Sequence, residues 1–583
     1  MQFPGGSGII PLFAMVGGVR RAGGRIVPDR LDCPALCGRT ADFPDLMGWR
    51  VDFPDPQEDG WIFLPLSGRR ESGGKAMRRH VLNDLWRTAG EKPDKPAFSD
   101  GEHALTFRQL ADQSRALGTA LHRRGIYKRP VVVFMRKAPE EIGAFFGVIT
   151  GGCFYVPVDE EMPSVRIQLI LDNVRAPLVI CDRNTAETAK TFDLRGGELA
   201  LYADLIRTDP DDGALETIRR RAIDTDPIYV VFTSGSTGVP KGVAACHRSV
   251  LDYIEQLSET LAFDENTVFG NQTPLYFDAC LKELYPTLRY GATTYLIPRR
   301  LFSMPVQLVE YLNEYKINTI CWVVSALTTV SALGTFETVK PEYLRTVAFG
   351  SEVFPPRQLR AWRTACPGAA FTNLYGPTEG TGMCCFYHVD RDIPDGEPIP
   401  IGQPFPNREI LLLKEDGTPA SAGEEGELCI RGTSVTLGYY NDPERTAAAY
   451  VQNPLNTAYP EIIYKTGDIA RYNQAGELVF VSRRDSQIKH MGHRIELGEI
   501  EVNAAQFAAL AACVYDAQKG RIVLFYTGDR SERDMAQELK AALPRYMVPN
   551  RFVRLDEMPL TPNGKIDRMA LKQASAGKAR GGK

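Results

Sequence analysis

Thr233-Ser-Gly-Ser-Thr-Gly-Val-Pro-Lys-Gly242 follows directly on the β-branched run Tyr229-Val-Val-Phe232, and these two segments together decide the fold. The run reads as a short buried strand. The segment after it gathers hydroxyls, bare glycine backbone and one cation, Lys241, into a single turn, a combination suited to binding a polyphosphate. It is not a Walker A loop, which requires Gly-Lys-Ser/Thr, because Lys241 stands between Pro240 and Gly242. A strand that opens into a phosphate-binding turn predicts an α/β protein.

Working outward, helical stretches alternate with β-branched runs such as Val131-Val-Val-Phe134 and Leu178-Val-Ile180. This predicts α/β layers around largely buried sheets. The pattern restarts on a smaller scale after about residue 480, with a helix expected over Glu499 to Ala511, a strand over Ile522 to Tyr526 and a helix over Glu532 to Leu543. The expected organisation is a large N-terminal domain of layered sheets and helices (77–482), a hinge (483–486), a small mobile α+β C-terminal domain (487–575) and a tail (576–583). Residues 1–76 hold 13 Gly and 8 Pro, about twice the frequency of the rest, and read as a poorly ordered extension. The character changes at Met77, where the functional enzyme is expected to begin.

The 583 residues carry a formal charge of -4, which offers no electrostatic reason for nucleic acid or an acidic membrane as partner. No apolar run reaches the length of a spanning helix. Twelve cysteines, mostly single and inside apolar runs, read as reduced core residues and favour the cytoplasm.

Further motifs follow in order: Leu105-Thr-Phe-Arg-Gln-Leu110, Gly151-Gly-Cys-Phe-Tyr-Val-Pro-Val-Asp159, Asn373-Leu-Tyr-Gly-Pro-Thr-Glu379, Gly426-Glu-Leu-Cys-Ile-Arg-Gly432, Tyr464-Lys-Thr-Gly-Asp468, Arg483-Arg-Asp-Ser-Gln487 and Pro562-Asn-Gly-Lys-Ile-Asp-Arg568. With the phosphate loop, this series resembles the adenylate-forming superfamily, which includes nonribosomal peptide adenylation domains, acyl-CoA synthetases and luciferases. The resemblance spans about 500 residues.

It implies an ATP site built from Thr233, Ser234, Gly235, Ser236, Thr237, Gly238 and Lys241, from Asn373, Leu374, Tyr375, Gly376, Pro377 and Thr378, and from Asp468, Phe480, Arg483 and Lys565. Glu379, a hard oxygen ligand, is the expected contact of the Mg2+ that accompanies ATP. Asp468 is expected to hold the ribose hydroxyls, with Arg483 beside it. Lys565, on a turn sequence, is the expected catalytic residue, bridging the substrate carboxylate and the α-phosphate. Asp485 matches the hinge about which the small domain turns. That rotation withdraws Lys565 and presents Lys489 to Glu496, with Gly492 leaving room for a pantetheine arm. His490 and His493 are unusual neighbours of Gly492.

Phe277-Asp-Ala-Cys-Leu-Lys282 resembles the segment lining the family's acyl pocket, in which Asp278 favours the ammonium group of an amino acid. The other pocket residues by motif order are Ala279, Lys282, Val323, Ala348, Gly350, Leu374, Gly382 and Met383, with Ser351 where glycine is common. If the stretch is helical, Asp278 and Lys282 project together. Lys282 then either pairs with Asp278 or Glu283, leaving a small pocket suited to alanine, or stays free for an acidic substrate. The resemblance implies a ligase that forms an aminoacyl-AMP and passes the acyl group to the phosphopantetheine thiol of a separate carrier protein. In look it is similar to the free-standing D-alanine:carrier-protein ligases. An acyl- or aryl-CoA synthetase, with CoA as acceptor, is the alternative; a nonenzymatic descendant comes last.

Overall fold

The computed structural model describes residues 19–22, 25–28, 79–235, 238–484, 487–517, 519–561 and 566–575. The unit Met1–Lys75 contributes one antiparallel hairpin, Val19–Ala22 with Arg25–Pro28. Ser236, Thr237, Asp485 and Lys565, most of the expected extension 1–76, and the tail 576–583 lie outside the described residues.

The unit Ala76–Lys583 is built on two large sheets. In the seven-stranded sheet, Glu198–Leu201, Leu178–Cys181, Pro130–Phe134, Phe154–Val158 and Pro227–Thr233 run parallel; Lys241–Cys246 and Gly438–Tyr439 close one edge antiparallel. Pro130–Phe134 and Phe154–Val158 are buried at every position, as continuous apolar runs require when helices cover both faces. The nine-stranded sheet has a parallel core, in spatial order Ala370–Tyr375, Thr346–Gly350, Thr319–Val323, Val268–Asn271, Thr293–Leu296 and Pro96–Ser99. The motif Leu105 to Leu110 starts a helix between the sheets. Thr106 Oγ1 accepts from the Gln109 amide at 3.2 Å and Gln109 Oε1 accepts from the Thr106 amide at 2.9 Å, a reciprocal cap.

A smaller antiparallel sheet follows, with Ile462–Tyr472 between Gly426–Gly432 and Leu478–Arg483. From Gln487 on, the chain builds its own core around Ile495, Ile500, Leu524, Tyr526, Met535 and Leu539. A hairpin (Gln487–His490 with His493–Glu496), a three-stranded sheet and the helices Leu497–Ala504, Glu532–Ala542 and Arg568–Ser575 form this small α+β part. The helix expected over Glu499 to Ala511 ends at Ala504, because Leu510–Asp516 is drawn into a strand against Arg521–Thr527.

Candidate active site

The cleft sits where the parallel strands of both large sheets end. Thr233 and Ser234 terminate Pro227–Thr233, Val323 closes Thr319–Val323, Ser351 follows Thr346–Gly350, and Gly376 to Thr378 follow Ala370–Tyr375. Carboxyl ends of parallel strands are the usual ligand-binding edge of open α/β sheets. The cleft encloses about 920 Å³.

The phosphate loop folds back on itself at Gly235, where a Cβ would stand 2.1 Å from the Val239 carbonyl oxygen, so only glycine fits. Lys241 opens the next strand and is buried, reaching Glu379 Oε1 at 3.1 Å and the Tyr439 hydroxyl at 3.4 Å. Glu379, on the turn Thr378–Gly380, is fully buried. Its Oε1 also accepts from the Tyr439 hydroxyl (2.8 Å) and its Oε2 from Arg494 Nη1 (2.7 Å). Burial alone would raise its pKa, but Arg494 and Lys241 hold the carboxyl well below the usual range. A buried anion kept ionised by two cations fits a hard metal ion. Among the described residues no group of three or more His, Cys, Asp and Glu could hold one unaided. The residues therefore suit a magnesium ion delivered on ATP phosphates and not a resident metal.

At the opposite end, Asp468 and Arg483 face each other across paired strands, with Arg483 Nη1 on Asp468 Oδ1 at 2.6 Å. The Tyr375 hydroxyl donates to the other oxygen of Asp468. Phe480 packs in the same cluster as Tyr375. Asn373 is committed to structure, donating to the Pro400 carbonyl at 2.8 Å.

Asp278, Ala279, Val323, Gly382 and Met383 line the cleft. Lys282, Ala348, Gly350 and Leu374 are buried and do not appear on its wall. Asp278 belongs to a 3-10 turn (Asp278–Cys280) and Lys282 to the α-helix Leu281–Tyr290, a break between them that a continuous helical reading does not anticipate. Among the described residues Lys282 forms no ion pair and no hydrogen bond, so the pairing with Asp278 or Glu283 is not made. Burial raises the Asp278 carboxyl, with Lys282 and a hydrogen bond from Thr378 working against it. Ser351, at the expected glycine position, holds a left-handed φ of 70°.

The hairpin of the small part lies on the cleft. Lys489 Nζ stands 5.1 Å over the Tyr375 ring. Gly492 donates its amide to Glu352 Oε1 at 3.0 Å and lies against Val323. His493 stacks on Tyr546 at 3.8 Å, with Phe277 edge-on at 4.9 Å, and burial, with His490 and Arg299, pulls its pKa down to about 3. His490 points instead toward Tyr515. Sequence reasoning missed Arg494, Tyr439, Tyr546 and the buried pair Arg166 and Glu499. Arg494 lies inside the segment Lys489 to Glu496 that the motifs single out; the pair, 333 residues apart, carries no local signal.

The family of AMP-binding enzymes matches residues 85–440. A linear gramicidin synthase of Brevibacillus parabrevis is 34% identical over 84% of this chain, which spans only 6% of that synthase's length. The D-alanine--D-alanyl carrier protein ligase of Staphylococcus aureus is 32% identical over 85% of this chain and 99% of the ligase. The crystal structure of IdnL1 superposes with a TM-score of 0.69 at 28% identity, covering 82% of this chain and 99% of that one. With the phosphate loop, Glu379 and Asp468 converging on one cleft, this chain belongs to the AMP-binding enzyme family.

Proposed function

We propose that this protein uses ATP to activate the carboxylate of an amino acid and then passes the acyl group to the phosphopantetheine thiol of a carrier protein. In the first step a substrate carboxylate oxygen attacks the α-phosphorus, the bond to the bridging oxygen breaks, and pyrophosphate leaves. In the second, the thiolate attacks the acyl carbon and AMP departs. Asp278 carries the choice of an amino acid. It is a carboxylate on the cleft wall with no ion-pair partner among the described residues, and a buried anion of this kind is costly until it meets a cation. The ammonium group of an amino acid supplies that cation, and a fatty or aryl acid does not. The gramicidin synthase and D-alanyl carrier protein ligase relatives support the same reading.

Asp468 and Arg483 hold the ribose end in this reading, and the phosphate loop with Lys241 holds the phosphates. Magnesium, when bound, neutralises phosphate charge beside Glu379. Lys565, outside the described residues, is assigned to the first step, and the division into domains about a hinge at Asp485 belongs to the same proposal. The hairpin carrying Lys489 and Gly492 lies over the cleft, which suits the second step. The ten described cysteines are all free and buried, which supports action in the cytoplasm, and among the described residues no helix is long and apolar enough to cross a membrane.

The test is pyrophosphate exchange across an amino-acid panel with fatty and aryl acids as controls. Exchange is expected with an amino acid alone, and Lys565→Ala is expected to reduce it by about a hundredfold or more while transfer from supplied acyl-AMP continues. Exchange driven by fatty or aryl acids, or equal loss of both steps, refutes the assignment.

A further inference from the structure

One continuous run of the small part, Arg494 to Glu499, occupies the groups that should receive ATP phosphates and their metal. Arg494 Nη1 sits on Glu379 Oε2. The Ser234 hydroxyl donates to the Arg494 carbonyl at 2.7 Å and accepts from the Glu496 amide at 3.3 Å, which commits it in both directions. The Gly235 amide donates to Glu499 Oε2 at 3.2 Å. The other oxygen of Glu499 is paired with Arg166 of the helix Ser164–Val174, and both side chains are buried. Arg166 Nε has no acceptor in this arrangement.

Each contact replaces like with like. A guanidinium stands where a metal cation would meet Glu379, and a carboxylate stands where a phosphate oxygen would meet the loop amide. Neither site holds two occupants. A second cation cannot share the Glu379 oxygen already bound at 2.7 Å, and one amide proton serves one strong acceptor.

We propose that Arg494 and Glu499 are positioning residues for acyl transfer, seating the small part over the cleft by taking the places that magnesium and pyrophosphate leave. The inference rests on the adenylation reading above. Departure of magnesium pyrophosphate thereby becomes the condition for this seating, and its return reverses it. Arg166 is the shared counter-charge, paired with Glu499 when the small part is seated and released when it leaves.

The experiment compares the full chain with Glu499→Gln, Arg494→Gln and Arg494→Lys. Calorimetric titration with magnesium pyrophosphate, which needs no amino acid, is expected to show binding tighter by about threefold or more in Glu499→Gln and Arg494→Gln, because each loses an internal competitor. The ratio of acyl transfer from preformed aminoacyl-AMP, with CoA as thiol, to pyrophosphate exchange is expected to fall about tenfold or more. Arg494→Lys, which keeps the cation, should recover most of that ratio. Magnesium pyrophosphate binding that is unchanged or weaker in both Gln variants overturns the proposal, as does a transfer-to-exchange ratio close to wild type. A residue serving only the fold would weaken ligand binding, not tighten it. If no amino acid supports exchange in wild type, the functional reading fails, while the titration still judges the competition by itself.

Discussion

Gly492→Ala separates the two half-reactions through a single methyl group. Gly492 and Met491 are the two central residues of the hairpin turn, with φ of 79° and 51°. An alanine in the left-handed region costs about 1–2 kcal/mol. That strain stays with the turn wherever the small part sits. The clash does not. With the hairpin seated, the new Cβ would lie 2.4 Å from Val323 Cγ1 and 2.8 Å from Val323 Cβ, about 1 Å inside ordinary contact. Overpacking of this kind costs about 1–3 kcal/mol, and at about 1.4 kcal/mol per factor of ten, transfer falls roughly ten- to hundredfold. Exchange, which on this reading proceeds with the hairpin withdrawn, falls much less. The assay is single-turnover transfer from preformed aminoacyl-AMP beside pyrophosphate exchange, on Gly492→Ala, Val323→Ala and the double variant. Val323→Ala removes both Cγ atoms, so the double variant should regain the part of the loss due to overlap. Wild-type transfer by Gly492→Ala, or a double variant no better than the single, refutes the reasoning.

Two further outcomes follow from buried charge. Burial lifts the pKa of Glu283 to about 7 against the opposing effects of Lys282, a 3.4 Å hydrogen bond from Asn271 and Lys137, and its Oε1 has no partner. Because the folded pKa is raised, the native state binds the extra proton between about pH 4.5 and 7. Stability therefore falls as pH rises through that window, by about 3 kcal/mol in all. Glu283→Gln should raise the thermal midpoint at pH 8 and leave it near wild type at pH 5; equal shifts at both pH values contradict this. Lys282→Met replaces a buried lysine head group that has no ion pair among the described residues. Its thermal midpoint should rise, exchange with alanine should survive, and any wild-type exchange with aspartate or glutamate should fall about tenfold or more. An acidic preference that persists in Lys282→Met shows that this lysine does not read the substrate.

The nucleotide end of the site was legible because its signals are short and local. Tyr229 to Lys241 is a strand, a turn and a strand in sequence, and Asn373 to Glu379 is a strand running into a turn. The acyl end was less so. The change from 3-10 to α-helix after Cys280 moves Lys282 off the wall that Asp278 occupies, and side-chain spacing alone does not report such a break. The strand at Leu510 was unreadable for another reason: its alanine-rich opening suits a helix, and only pairing with Arg521–Thr527 makes it a strand. Ser351 was visible as a departure, and its positive φ explains why glycine is the easier residue there. Ion pairs such as Arg166 with Glu499 exist only once distant segments meet.

The ring trio of Phe277, His493 and Tyr546 ties substrate choice to timing. Phe277 precedes Asp278 on the cleft wall and meets His493 edge-on, while His493 lies flat on Tyr546. The wall of the acyl pocket is thus also the surface on which the small part rests. A larger side chain that displaces Phe277 disturbs the stack directly behind it. Redesigning this pocket for bulkier substrates is accordingly two tasks: a mutation that widens it admits the new acid, and unless His493 and Tyr546 are refitted to the moved ring, the enzyme loads that acid and delivers it slowly.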